Sequence, residues 1–255
     1  MRAIDLNCDM GEMPELLADG TQEELMRSIS SANIACGGHA GNAEMMRATV
    51  EQALRYGVSI GAHPGYEDPA NFGRKELHLR PDEISASVYR QINALEEIVR
   101  DCGARINHVK AHGALYNQAA RDPKIARAIA EGVRRWRTDA LLVGLAGSIM
   151  LDEFSSAGFP IAAEAFADRR YENDGSLRSR KYPDALLHNR EDAANQALQI
   201  AQQGTVTALN GSIIPLQADT ICIHGDTPGA VPIAVAVSRR LRESRIAIQP
   251  LLGRT

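Results

Sequence analysis

The sequence predicts an α/β fold of parallel βαβ units in one domain over residues 1–255. It suits a closed or nearly closed β/α barrel as well as an open doubly wound sheet. Three observations predict it. Short β-type runs alternate with amphipathic segments along the chain, polar and glycine-rich clusters follow those runs, and no linker, low-complexity tract or short-period repeat interrupts them.

Strands are expected over residues 2–7, 32–35, 58–61, 106–110, 141–145, 160–166 and 220–223, with a weaker one at 245–248. Helix starts lie between them. Thr21-Gln22-Glu23-Glu24 fits a capping box before Leu25 and Met26. Asp122-Pro123 and Thr227-Pro228 each fit a cap with Pro in the first turn, and Asn189 with Asp192 opens a helix through Ile200.

Composition limits the function. Of 255 residues, 44% are hydrophobic and 24% charged, as in an ordinary globular protein. Lys plus Arg number 28 against 32 Asp plus Glu, a net charge of −4, with one Trp and four Phe. Neither nucleic-acid binding, which needs positive surface and stacking aromatics, nor a transmembrane helix is expected. The N-terminus lacks the apolar stretch of a secretory signal, and Cys8, Cys36, Cys102 and Cys222 are widely spaced. Both features predict a cytoplasmic protein with free thiols.

The chemistry gathers at the ends of the strands. The clusters are Asn7 to Glu12, Cys36 to Asn42, Gly61 to Tyr66, Lys110 to Asn117, Glu164 to Arg170 and His224-Gly225-Asp226. In a parallel β/α fold these ends lie on one side, where active sites form. Five of the seven histidines fall in or beside the clusters. Period-two alternation puts Asp5, Asn7 and Asp9 on one face, and His108, Lys110 and His112 on another; Glu164, Phe166 and Asp168 follow the same rule. Buried together, such groups must pair or bind something charged.

Some of these residues also have a structural reading. Asp5 and Asn7 suit the satisfaction of backbone groups, Glu164 suits a structural partner for Lys110, Asp226 suits a helix cap, and Cys36 reads as a small buried residue. Residues 168–184 form a long charged stretch poor in large apolar side chains, and residues 66–75 a second loop; each suits a cover over the site. No phosphate-binding P-loop, Rossmann fingerprint or H-E-x-x-H occurs. The string Gly57-Val58-Ser59-Ile60-Gly61 has the G-x-S-x-G form but spans a strand, where no nucleophile elbow is found.

On these strings the sequence resembles the family of 5-oxoprolinase A subunits, also called the LamB/YcsF or lactam-utilisation family. The matches include Asp5-Leu6-Asn7-Cys8-Asp9-Met10-Gly11-Glu12, His39-Ala40-Gly41, Gly61-Ala62-His63-Pro64-Gly65, Phe72-Gly73-Arg74, His112-Gly113-Ala114-Leu115-Tyr116-Asn117 and Cys222-Ile223-His224-Gly225-Asp226. Gly38, Asn42, Ala111, Ser179 and residues 13–20 depart from the family's usual pattern.

The resemblance implies a seven-stranded parallel β/α barrel similar to the glycoside hydrolase/deacetylase superfamily. It also implies ATP-dependent opening of 5-oxoproline to L-glutamate with partner subunits B and C. On this reading Asp9, Lys110, His112, Glu164 and His224 are expected to be catalytic. Asp5, Asn7, Arg74, Asp168, Arg169 and Asp226 are expected to bind substrate or phosphate. Asp9, His39 and His63 are expected to hold a divalent metal. A metal-dependent deacetylase or carbohydrate hydrolase on a related barrel, or a non-catalytic lactam- or sugar-binding subunit, stands as the alternative.

Overall fold

A computed structural model describes residues 2–227 and 229–251. Its order is β1 (Ala3–Met10), α1 (Pro14–Ala18), α2 (Thr21–Met26), β2 (Ser31–Ala35), α3 (Ala43–Tyr56), β3 (Ser59–His63), α4 (Pro81–Asp101), β4 (His108–Lys110), α5 (Gly113–Ala119), α6 (Pro123–Trp136), β5 (Leu141–Leu145), α7 (Ile149–Ser156), β6 (Ile161–Phe166), α8 (Arg190–Gln203), β7 (Thr205–Thr207), β8 (Ile213–Pro215), β9 (Thr220–Ile223), α9 (Ala230–Glu243) and β10 (Ala247–Ile248).

Seven parallel strands, β1 to β6 and β9, close into a barrel because β1 pairs with both β2 and β9. The closed barrel, not the open sheet, is the architecture. The first residues of β1 pair instead with β10, Ala3 with Ala247 and Ile4 with Ile248, so β1 changes neighbours along its length. Ile4, Leu6, Cys8, Ile34, Ile60 and Val109 join the main apolar core with side chains of the helices. Leu141, Val143 and Ala162 form a smaller apolar cluster against Leu251.

Several strand limits move. β1 continues to Met10 and β3 to His63, because Asp9 pairs with Asn33 and His63 with Ala35. Asp9 and His63 therefore sit on rigid strands and not in the following loops. The antiparallel β7–β8 hairpin was not expected. Val206 is its one fully buried strand residue, which leaves little hydrophobic pattern to read.

The Asp122 and Asn189 caps form, accepting from Lys124 N–H and from Glu191 and Asp192 N–H. The capping box at Thr21 does not. Thr21 is already helical behind Gly20, whose φ is 82°, and Asp19 accepts the Thr21 N–H at 2.9 Å. The expected start at Thr227-Pro228 shifts to a Gly229 cap, while Pro228 lies outside the described residues.

Candidate active site at the barrel mouth

The barrel interior is polar on the β1–β4 side. At its lower level the Asp5 carboxylate accepts from Ser30 and Ser31 hydroxyls, each at 2.7 Å, and from Thr220. Burial raises the Asp5 carboxyl above its ordinary range, against these hydrogen bonds. One level up, Asn33, Gly61 and His108 lie side by side in register. A Cβ on Gly61 would stand 2.1 Å from His108 Nε2, so glycine leaves the room through which the ring reaches Asn33 Oδ1 at 2.8 Å.

Lys110 is the centre of the next level. Its ammonium lies 2.9 Å from Asp9 Oδ1, 2.9 Å from Glu164 Oε1, 3.3 Å from Asn7 Oδ1 and 3.2 Å from Cys222 Sγ. Burial opposes its charge, but the two carboxylates outweigh that and push the ammonium well above its usual range. Asp9 responds in the opposite sense: burial opposes ionisation, and His63 and Lys110 overcome it, holding the carboxyl well below its ordinary value. Asn7 donates to Glu164 at 3.0 Å and Asn33 donates to Asp9 at 2.8 Å, which fixes both carboxylates in place.

Above Asp9, three imidazoles surround Glu12. Its Oε1 stands 2.9 Å from His39 Nε2, 3.1 Å from His112 Nδ1 and 3.8 Å from His63 Nε2. His63 Nδ1 faces the Lys110 carbonyl at 2.9 Å, and His112 Nε2 faces the Phe72 carbonyl at 2.9 Å. A carbonyl only accepts, so those nitrogens carry the protons. In neutral rings the lone pairs of His63 Nε2 and His112 Nδ1 would face each other across 3.0 Å, beside a carboxylate oxygen. A proton on either ring, or a metal ion between them, relieves that repulsion. Burial pushes the His39 imidazole down to about 4, which keeps that ring neutral at ordinary pH. Glu12, His39, His63 and His112 form a possible metal-binding cluster, its carbonyl-anchored imidazoles resembling those of protein metal sites. Asp9 Oδ2, 3.3 Å from His63 Nε2, adjoins it.

On the other side of Asp9 stands His224. A ring nitrogen of His224, an Asp9 oxygen and Cys222 Sγ all lie within 4.8 Å of one another. Asp168 orients this ring: its carboxylate accepts from His224 Nδ1 at 2.9 Å, from the His224 N–H at 3.2 Å and from Thr227 Oγ1 at 3.2 Å. Burial opposes the Asp168 charge, but His224 holds the carboxyl below its ordinary range. The His224 ring stacks on Phe166 at 5.3 Å.

The two loops flagged by sequence meet over this chamber. Gly73 covers the rings so closely that a Cβ there would come within 2.7 Å of His39 Cβ and 3.0 Å of His112 Cδ2. Arg74 pairs with Asp226, and Arg180 reaches the same carboxylate at 3.7 Å.

The LamB/YcsF family model matches residues 4–255. The chain belongs to the LamB/YcsF family. The 5-oxoprolinase A subunit of Chloroflexus aggregans is 49% identical over 98% of this chain and 99% of its own length. Its counterpart of the same name from Bordetella parapertussis is 46% identical over 97% and 98%. The crystal structure of a lactam utilization protein from Thermus thermophilus overlays with a TM-score of 0.91 at 39% identity, covering 98% of this chain and 100% of that one. A family 4 carbohydrate esterase from Streptomyces lividans overlays at 0.54 with 9% identity, over 100% of this chain and 95% of that one, which shows a shared fold alone.

In this LamB/YcsF barrel, Asn7, Asp9, His39, His63, Lys110, His112, Glu164 and His224 converge as one connected constellation. Asp5 lies below it, closed off by serine and threonine hydroxyls. Asp168 faces His224 and Thr227 and is fully buried. Arg169 is buried too, donating to the Arg178 carbonyl at 2.7 Å, with its guanidinium lowered to about 10 by burial and by Arg180. Cys36 is an inert thiol, pushed up to about 12 by burial.

Sequence reasoning left Glu12, Asn33 and His108 out of the site. Glu12 stood inside the first cluster, but strand alternation stops at Met10. Gly11, at φ 70°, turns the chain so that the carboxylate comes back over the barrel. Asn33 follows Ser31 by two residues on a fully buried strand, a pattern that does reveal an inward amide.

Proposed function

We propose that this chain is the A subunit of an ATP-dependent 5-oxoprolinase, opening the lactam of 5-oxo-L-proline to L-glutamate with partner subunits B and C. The observation that carries the reading is 49% identity over essentially the full length to a protein of that name. Four unpaired cysteines suit the reducing cytoplasm in which such an enzyme would work.

The chamber supplies what lactam hydrolysis requires. A ring amide resists water, and ATP provides the drive by phosphorylating the lactam oxygen, which makes C5 a better electrophile. Asp9, kept ionised by His63 and Lys110, takes a proton from the attacking water as the new C–O bond forms at C5. The C5–N bond then breaks, leaving the side-chain carboxyl phosphate of glutamate, which a second water hydrolyses to L-glutamate and inorganic phosphate. His224, held by Asp168, delivers a proton to the departing ring nitrogen. Lys110 keeps Asp9 and Glu164 charged and in place, and its positive charge offsets negative charge that builds at the reacting oxygen.

Glu12, His39, His63 and His112 would hold a divalent cation, with Asp9 beside it, in place of the Asp9, His39 and His63 set read from sequence. Their facing lone pairs and carboxylate fit such an ion. When bound, it would polarise the lactam carbonyl.

The test is ATP-dependent loss of 5-oxoproline and release of glutamate, measured with purified chain and its partner subunits. Activity is expected only with all subunits present, and Lys110→Met should lower it by more than about 100-fold. Unchanged rates in that variant would remove Lys110 from the mechanism. Release of acetate from acetylated sugars without ATP would replace the whole reading.

A further inference from the structure

Arg74 follows β3, Arg180 lies in the long loop after β6, and Asp226 follows β9; they meet at one atom, Asp226 Oδ2. We propose that Arg74 and Arg180 are the carboxylate-recognition site of this enzyme, and that Asp226 is an internal stand-in which the substrate's own carboxylate displaces. This rests on the lactam reading above and extends it to the group that selects the substrate.

Position supports it. Phe72, Gly73 and Arg74 lie directly on the imidazole cluster. The Phe72 carbonyl accepts from His112, Gly73 packs on His39 and His112, and the Arg74 guanidinium sits 4.8 Å over the Phe72 ring. Phe72 holds φ 53° and Gly73 φ 62°, so this segment is set in a left-handed conformation unusual for phenylalanine. Asp226 also lines a small void with Asp9 and Glu12, at the edge of the imidazole cluster. An anion held by Arg74 and Arg180 is therefore placed at the mouth of the reaction chamber.

Charge supports it as well. Two guanidiniums facing one carboxylate form the donor array that binds a small-molecule carboxylate. The side chains of Arg74 and Arg180 remain 38% and 29% exposed, whereas Asp226 is 15% exposed. Both guanidiniums keep a face toward water from which a competing anion can reach them. 5-Oxo-L-proline carries a carboxylate on the ring carbon next to nitrogen. Exchange of Asp226 for that group would fix one end of the lactam at the arginines.

The test is calorimetric titration of the full chain with 5-oxo-L-proline and with 2-pyrrolidinone, the same ring without the carboxylate. Acetate and inorganic phosphate serve as lactam-free probes. Asp226→Asn should bind 5-oxo-L-proline about tenfold tighter, because the internal competitor is gone, and the double variant Arg74→Met/Arg180→Met should bind it at least about tenfold more weakly. Affinity for 2-pyrrolidinone should be the same in every chain. Adding Asp226→Asn to the double arginine variant should restore nothing, and thermal melts of all variants establish that each is folded.

Parallel changes for both lactams, or weaker 5-oxo-L-proline binding by a folded Asp226→Asn chain, overturn the proposal. A gain for phosphate with none for carboxylates overturns the choice of ligand. If neither lactam binds but Asp226→Asn gains acetate affinity that the arginine variant lacks, the carboxylate site stands and the lactam reading falls. If no probe distinguishes the variants, the site itself falls.

Discussion

Glu12 is the residue on which the imidazole cluster turns. Without its carboxylate, His39, His63 and His112 would present three imidazoles and no compensating negative charge toward a cation. Burial opposes ionisation of Glu12, and hydrogen bonds from His112 and His39 overcome it and hold the carboxyl far below its ordinary range. Glu12→Gln keeps the size and one acceptor oxygen but removes the anion. The expected outcome is a loss of at least about tenfold in affinity for Zn²⁺ or Mn²⁺, read by titration of the chelator-treated chain. Equal affinity in the variant, or no binding by the parent chain, removes the metal centre. The same residue marks where sequence reasoning ran out. Alternation along β1 made Asp5, Asn7 and Asp9 legible because the pleat enforces it. Glu12 lies beyond Gly11, where the chain leaves the pleat and side-chain direction depends on a turn that no periodicity encodes.

At the scale of elements, the parallel strands were legible because each is short, apolar on its outer face and followed by a helix. Their ends were less so, and the difference mattered: pairing with β2 carries β1 to Asp9, and pairing carries β3 to His63, so both functional groups gain the rigidity of the barrel. The Gly57-Val58-Ser59-Ile60-Gly61 string has a structural explanation. Gly57 ends α3 at φ 67° with open space around it, whereas Gly61 makes room inside the barrel for His108. Alanine at each position separates the two roles. Gly57→Ala should cost about 1 kcal/mol, the strain of a left-handed position. Gly61→Ala should cost more, about 1–3 kcal/mol for overpacking plus any loss of the His108–Asn33 bond. Urea unfolding of both variants checks this, and equal costs would show that the barrel interior yields to an added methyl group.

For the whole molecule, a barrel lined with titratable groups ties global stability to pH. Burial, and then the charge of Lys110, pushes His108 down to about 3, with Asp9 opposing from β1 and His63 adding from β3. His39 stands at about 4. In the unfolded chain both imidazoles return to about 6.5. Between those values the unfolded state binds protons that the native barrel refuses, so stability falls as pH drops from about 6.5 toward 3. The depressed carboxyls of Asp9 and Asp168 act in the same direction at lower pH, below their unfolded value of about 3.9, whereas Asp5, raised by burial, takes up its proton above that value and offsets part of the imidazole loss. Melting temperature should therefore decline steadily from pH 6.5 to 4, before most carboxylates titrate. His108→Gln, which retains an amide donor for Asn33, should make that decline shallower. Measurements in excess chelator separate this from proton competition with a bound ion. A melting temperature flat over that interval, or a variant as steep as its parent, would mean that His108 accepts a proton inside the folded barrel and that the polar interior is open to water.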